Sequence, residues 1–299
     1  MPYIRNLNIE AEDSVVLDRL EENGSLTDYD LDIAIIRYPR ISNFTDIDPL
    51  AAEPDVRVRY VEQATELGTP DVIILPGTKS TLDDLQFMHE ANIVRVIQER
   101  VEAGAKLVGI CGGYQMLGQM LYDPEGVEAA AGKTAEGLGY LPIRTEFYPE
   151  KKTERVKGTV LSQATPKRTD QLPIEGYEIH MGRTTFTSAT DETNQKDQMA
   201  SYHSPLFWLE GADGDFGDGC STLNFNVWGT YLHGIFHNDG FRREWLNELR
   251  EGKGLLPLIT NVRVHSRREA AFDRLAEITR QHLRMDLIYG MVGVHSSQN

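Results

Sequence analysis

The chain has 299 residues, 40% hydrophobic and 25% charged, the make-up of an ordinary globular protein with one large domain or two small ones. Its 30 basic and 46 acidic residues leave a net charge of −16, which argues against non-specific binding to nucleic acid or to an anionic membrane. No apolar run approaches the roughly 18 residues of a membrane span, the opening Met1-Pro-Tyr-Ile-Arg lacks a signal-peptide core, and Cys111 and Cys220 are read as free thiols of a reducing cytoplasm.

Residues 1–30 are acidic and polar, with one short helix expected from Glu12 to Glu22, and they read as a tail or linker. Leu31 to Arg37 is a strand, followed by a loop running to Pro49. Val56 to Val61 alternates like a second strand, and Val72-Ile-Ile-Leu75 is a fully apolar third. A helical stretch then carries Leu82, Leu85, Val94, Ile97 and Val101, and stops at Gly104. The next strand leads into Cys111. Strands alternating with helices predict a mostly parallel sheet with helices on both faces, an α/β fold whose site lies at the strands' C-terminal ends. From Gly137 to Thr185 the pattern changes to short β segments, and 186–220 reads as a mobile polar insertion. Within it, Asp213-Gly-Asp-Phe-Gly-Asp-Gly219 faintly suggests a calcium loop, but the required glutamate is missing. Asn224 to Phe236 returns to strand. Two helices follow, at about 239–250 and 266–289, the second with Phe272, Leu275, Ala276, Leu283 and Leu287 in one stripe expected to pack on the core.

The run Lys106-Leu-Val-Gly-Ile-Cys-Gly-Gly-Tyr-Gln115 has the form of a nucleophile elbow: a strand, a sharp turn carrying the nucleophile, then a helix. Gly109, Gly112 and Gly113 spare the turn a Cβ clash and let a substrate approach the backbone. The helix start presents unpaired N–H groups and partial positive charge to the Cys111 sulfur, which favours a nucleophilic thiolate over an inert buried thiol. A cysteine nucleophile needs a base. His233, in Trp228-Gly-Thr-Tyr-Leu-His-Gly-Ile-Phe236, closes an apolar strand whose end can lie beside the elbow. His237 mimics a metal pair with it, but no third ligand accompanies them and no metal is expected. Leu75-Pro-Gly-Thr-Lys-Ser-Thr81 is a further loop at a strand's C-terminal end. Its Gly77 N–H, with that of Gly112, is placed to form an oxyanion hole. A phosphate-loop reading of the same run fails, because no glycine directly precedes Lys79.

Gly109-Ile-Cys-Gly-Gly-Tyr-Gln115, Leu75-Pro-Gly-Thr-Lys79 and Thr230-Tyr-Leu-His-Gly-Ile-Phe236 together resemble the class I glutamine amidotransferases, with a flavodoxin-like fold. Arg40-Ile-Ser-Asn-Phe-Thr-Asp-Ile-Asp-Pro-Leu50, Leu138-Gly-Tyr-Leu-Pro142 and Gly176-Tyr-Glu-Ile-His-Met-Gly-Arg-Thr184 are similar to their cobyric acid synthase branch. The resemblance implies that Cys111 attacks the side-chain amide of glutamine, that His233 protonates the departing ammonia and then activates water, and that Gln115 helps hold the glutamine. It also implies a synthetase partner that uses ATP and Mg to amidate corrinoid carboxylates, with no cofactor in this part. Many class I members orient the histidine with a glutamate two residues on. That position is Ile235 here, so Glu178, Asp46 and Asp48 are the candidates for a third member, and His180 is a candidate for orienting substrate or lying at a domain interface.

These readings divide the chain into a 1–30 tail or linker from a synthetase domain not included here, an amidotransferase domain over 31–250, and a helical extension over 251–299. Three alternative readings fit the residues less well. The related a,c-diamide synthase branch words its elbow and its Tyr-Glu-Ile-His segment differently. A non-catalytic binding homologue would not need Cys111, His233 and both oxyanion glycines, and a cysteine hydrolase would not carry the cobyric-branch motifs.

Overall fold

The structure, a computed structural model, describes residues 29–161, 169, 171–187, 202–203, 205–259 and 262–291. The expected helix at 12–22 and most of the 1–30 tail lie outside the described residues. In chain order the strands are β1 (Leu31–Ile36), β2 (Ile41–Ser42), β3 (Val56–Val61), β4 (Val72–Leu75), β5 (Gly77–Thr78) and β6 (Lys106–Ile110). They are followed by β7 (Met120–Asp123), β8 (Lys133–Glu136), β9 (Ile143–Val160), β10 (Pro173–Phe186), β11 (Tyr202–His203), β12 (Phe207–Gly211), β13 (Gly214–Asp218), β14 (Cys220–Thr222) and β15 (Val227–Thr230).

A seven-stranded sheet in the order β11-β14-β15-β6-β4-β1-β3 forms the frame. From β15 to β3 all neighbours are parallel, and β14 and β11 add an antiparallel edge. The apolar runs explain the arrangement. Every residue of β1, β4 and β15 is buried, which requires cover on both faces of the sheet. The helix Asp239–Gly252 supplies part of it through Leu246, Leu249, Phe241 and Trp245, the two aromatic rings meeting Trp228 and Phe236. A buried charge cluster ties this helix to the 30–55 segment: Arg242 bonds Glu53 at 2.8 Å, and Arg250 bonds Asp55 at 2.7 Å and Asp30 at 2.6 Å.

Several local expectations change. The helical stretch over 82–101 is two helices, Thr81–Glu90 and Ile93–Glu102, because Asn92 turns the chain with φ of 59°. The region expected to hold short β segments instead contains the long antiparallel pair β9–β10, in which Pro149 and Gly158 are accommodated without ending the strand. Within the insertion expected over 186–220, the chain forms strands from β12 to β14, and the calcium-like run supplies the β12–β13 turn and β13 itself. Residues 188–201 of it lie outside the described residues. The strand expected to reach Phe236 stops at Thr230, so His233 lies in the turn beyond it.

The described residues divide into two units, one ending at Val262 and a second beginning at Arg263. In the second unit the single helix expected over 266–289 is Val264–His282 followed by Met285–Met291, with Leu283 extended between them. Of the stripe, Phe272, Leu283 and Leu287 are exposed, while Leu275 and Ala276 are half-buried.

The elbow is set by close packing. A Cβ on Gly113 would lie 1.9 Å from the Leu75 carbonyl oxygen, and one on Gly109 would lie 2.6 Å from the Gly113 oxygen. These glycines let the helix Gly112–Met116 settle onto β4. Gly113→Ala is therefore expected to destabilise the protein by on the order of 3 kcal/mol or more, seen as a lowered urea midpoint.

Candidate active site

Cys111 follows β6 with φ of 53° and ψ of −110°, a conformation that β-substituted residues rarely adopt. Its N–H donates to Thr230 O at 2.9 Å, which fixes the elbow between β6 and β15. The thiol lies 3.7 Å from the Ile179 carbonyl of β10. The helix after it spans only Gly112–Met116, so the expected dipole contribution comes from a short element. Cys220 is also free, but fully buried, and burial pushes its thiol up to about 12.

His233 is fully buried and held on three sides. Its N–H donates to Tyr177 O at 2.9 Å, and its carbonyl accepts from Tyr177 N at 3.2 Å. The Tyr177 ring stacks on the imidazole with centroids 5.1 Å apart. Nδ1 lies 2.6 Å from Asp46 Oδ2, while Asp46 Oδ1 accepts the Gly234 N–H at 2.9 Å. Among the described residues Nε2 has no hydrogen-bond partner. Burial by itself would push the imidazole pKa down. The charges of Asp46 and Cys111 outweigh it and hold His233 well above its ordinary value. That direction favours an imidazolium beside the cysteine, the state that can give a proton to a leaving group.

Asp46 reaches this position through the loop after β1. The short ladder β2–β5 pairs Ile41 with Thr78 and Ser42 with Gly77, so the loop is stitched to the Gly77 turn. Asn43 then turns back with φ of 53°, its side-chain amide donates to the Tyr177 hydroxyl at 3.0 Å, and the 3-10 turn Phe44–Ile47 buries Asp46. Of the three candidates for a third member, the structure brings Asp46 to the histidine and neither of the others. Asp48 opens the next short helix, Asp48–Ala51, and its charge acts on Tyr60. Glu178 follows Tyr177 along β10, so its side chain takes the opposite face from the ring stacked on His233. There it pairs with Lys152.

Gly77 and Gly112 both adjoin the centre. A Cβ on Gly77 would lie 3.3 Å from His233 Cε1, and one on Gly112 would lie 2.6 Å from Thr78 Cγ2. Gly112 opens the helix, and its N–H has no intrahelical partner. Gln115 is buried with its amide engaged: Nε2 donates to Met181 O and to the Tyr231 hydroxyl, both at 3.0 Å, and Oε1 accepts from Thr81 Oγ1 at 2.9 Å. Any hold on substrate therefore falls to the remaining acceptor capacity of its oxygen. His180 stacks on Tyr231 at 3.8 Å, and burial pushes its imidazole down to about 4, so it is neutral at pH 7. With Glu178, Lys152, Asp218 and Tyr231 it lines a cavity of about 520 Å³ next to the site. His237 bonds the Thr45 carbonyl at 3.1 Å, and among the described residues no group of three or more His, Cys, Asp or Glu is arranged to hold a metal. The sequence reading missed Tyr177 as a clamp on the base, although it stands in a quoted motif. It also passed over Asp123-Pro-Glu-Gly-Val-Glu128 entirely.

A centre of this kind can attack a carbonyl carbon, protonate the group that leaves and then activate water, which is the work of a cysteine-dependent acyl-transfer enzyme. The model of the CobB/CobQ-like glutamine amidotransferase domain matches residues 32–241. The chain belongs to that family and is a glutamine amidotransferase domain. It is 41% identical over 290 residues to a cobyric acid synthase of Geobacillus sp. (strain WCH70), covering 96% of this chain and 53% of that protein. A cobyric acid synthase of Dehalococcoides mccartyi (strain CBDB1) is 39% identical over 293 residues, covering 98% of this chain and 55% of that protein. The chain thus spans about half the length of the curated relatives it matches. Among solved structures, PurLQS from Thermotoga maritima is similar at 20% identity with a TM-score of 0.48, over 73% of this chain and 99% of that one.

The Asp46–His233 pair generates a pH-dependent prediction. A histidine pKa raised on folding contributes stability that is full below the unfolded pKa of about 6.5 and is lost as pH rises through the folded pKa. Asp46→Asn is expected to lower the His233 pKa in an NMR titration of labelled imidazole. Its stability loss in urea melts is expected to be largest below about pH 6.5 and to shrink at higher pH.

Proposed function

We propose that this domain hydrolyses glutamine through a Cys111 γ-glutamyl thioester and supplies the ammonia to a synthetase that amidates corrinoid carboxylates, as part of a cobyric acid synthase. The observation that carries the chemistry is His233, buried on Asp46 through Nδ1, with Nε2 unpartnered and Cys111 close enough to raise its pKa.

The Cys111 sulfur adds to the side-chain amide carbon of glutamine, forming the C–S bond and placing negative charge on the amide oxygen. The Gly77 and Gly112 N–H groups receive that charge. The His233 imidazolium gives its proton to the amide nitrogen as the C–N bond breaks, so ammonia leaves and a thioester remains. Neutral His233 then takes a proton from water, whose oxygen attacks the thioester carbon; the C–S bond breaks, glutamate departs, and the thiolate beside an imidazolium is restored. Asp46 keeps the imidazole oriented and its charged form stabilised throughout.

The relatives' names support the cobyric acid synthase reading. The half of those proteins that this chain does not span is the place for the synthetase, with its ATP and Mg, and this part uses no cofactor of its own. We assign the amidotransferase to 31–250, with the segments on either side as linker and helical extension. Among the described residues no helix is long and apolar enough to cross a membrane. We place the enzyme in the cytoplasm on the strength of its two free cysteines.

The test is intact mass after incubation with 6-diazo-5-oxo-norleucine, a glutamine-mimicking electrophile. Wild type is expected to gain a single adduct, Cys111→Ser none, and His233→Ala an adduct formed more slowly. Glutaminase turnover is expected to fall by roughly a thousandfold or more in Cys111→Ser. Undiminished turnover in that variant would sink the mechanism. Asp46→Asn is expected to lose about 10²–10⁴-fold in kcat with a smaller change in KM.

A further inference from the structure

The loop after β7 takes no part in the chemistry above, yet it is built with care. Asp123 is fully buried and accepts the N–H groups of Gly126 at 2.9 Å and of Val127, Glu128 and Ala129 at 2.8 Å each. Burial pushes its carboxyl up, but these bonds win and hold it below the usual range. The loop so folded delivers Glu128 to the start of the helix Thr81–Glu90. Oε2 accepts the Thr81 N–H at 2.6 Å, and Oε1 lies 3.3 Å from Thr81 Oγ1. Thr81 Oγ1 is 2.9 Å from Gln115 Oε1 on the elbow helix. A row of polar groups therefore runs from Glu128 through Thr81 to Gln115, and on through Tyr231 to Thr184.

A hydroxyl carries one hydrogen. Thr81 Oγ1 faces two acceptor oxygens, Glu128 Oε1 and Gln115 Oε1, and while Glu128 is ionised it can serve only one of them. A proton on Glu128 Oε1 removes the conflict: Glu128 donates to Thr81 Oγ1, and Thr81 donates onward to Gln115. When the proton leaves, the carboxylate is the stronger acceptor and draws the Thr81 hydrogen to itself. Gln115 Oε1 then loses its internal donor.

We propose that Glu128 is a positioning residue acting through Thr81: its ionisation turns the Thr81 hydroxyl away from Gln115 and leaves both acceptor sites of the Gln115 oxygen to the N–H groups of bound glutamine. This rests on the glutaminase reading given above. The surroundings set the exchange at working pH. Burial pushes the Glu128 carboxyl up to about 7, bonds from Thr81 and Leu82 pull it back, and the Asp123 charge adds to the rise. The other titratable and charged side chains on the elements around it are Glu125 in its own loop, Asp83, Asp84, His89 and Glu90 on the helix, Lys133 and Glu136 on β8, Arg40 beside Asp83 and Asp84, and the Cys111 thiol at the elbow. Lys133 and Arg40 are engaged with Asp83, and Arg40 also with Asp84.

The experiment measures KM and kcat for glutamine between about pH 5.5 and 8.5, on either side of the raised carboxyl, in wild type and Glu128→Gln. Wild-type KM is expected to fall by about tenfold through a transition near the Glu128 pKa, roughly the effect of one hydrogen bond to a charged group. The Glu128→Gln amide donates to Thr81 as the protonated acid does, so its KM is expected to stay high and flat while kcat changes little. The same wild-type transition persisting in Glu128→Gln would overturn the proposal. A second readout is the melting temperature of wild type relative to Glu128→Gln. An acid whose pKa rises on folding from 4.5 to about 7 stabilises below that window and loses the contribution as pH rises through it, so the difference should decline and then level off. A flat difference overturns the proposal whether or not glutamine is turned over. A declining difference in a wild type that neither hydrolyses glutamine nor takes up the electrophile would refute the functional reading, and the role at Gln115 with it.

Discussion

Gly113 lies so close to the Leu75 carbonyl that no side-chain atom fits between them, and the geometry of the site descends from that contact. With the helix seated on β4, the chain leaving β6 must turn within one residue, and Cys111 takes a left-handed backbone to do it. The same seating brings the Gly112 N–H beside Thr78 and places the sulfur under β10. Strain of order 1–3 kcal/mol at such a residue persists only where neighbours over-determine it. Here the parallel pairing of β6 with β4 and β15 does so.

Onto this steric frame the protein sets an electrostatic one. An imidazole with no solvent contact would ordinarily be neutral, since desolvation penalises its charge. Asp46 reverses the balance because it is equally buried, accepts the Gly234 N–H as well as facing Nδ1, and so loses little by leaving water. The Tyr177 ring closes the remaining face. His233 is thereby fixed in orientation while its second nitrogen remains available.

The frame was legible in the sequence because buried parallel strands are written as uninterrupted apolar runs, as in Val72 to Leu75 and Leu107 to Ile110. The elbow was legible because strand, cysteine and glycines are contiguous. What escaped depends on partners distant in the chain. Asp46 could be narrowed only to one of three carboxylates, since its place depends on the β2–β5 ladder and on Asn43. The long β9–β10 pair was hidden because Pro149 and Gly158 look like breakers, whereas Pro149 falls in the unpaired stretch 147–150 at the register shift and Gly158 pairs with Ile174. The helix break at Asn92 carries neither glycine nor proline, and asparagine's tolerance of positive φ leaves a weak mark. Glu128 was passed over because a carboxylate in a Gly-containing loop resembles any solvated turn.

The bridge between Tyr177 and His233 couples two parts of the molecule that are usually considered separately. The base takes its backbone hydrogen bonds from β10, a strand of the second sheet, and β10 is paired along its other edge with β9. His233 is thus bonded to the interior of β10, where Tyr177 also pairs across to Arg155 of β9. Two residues on, the same strand turns its Ile179 carbonyl to the Cys111 thiol, and its Met181 carbonyl accepts from Gln115. One strand therefore serves as a common ruler for His233, Cys111 and Gln115, and a slip of β10 along its own length would change all three spacings at once.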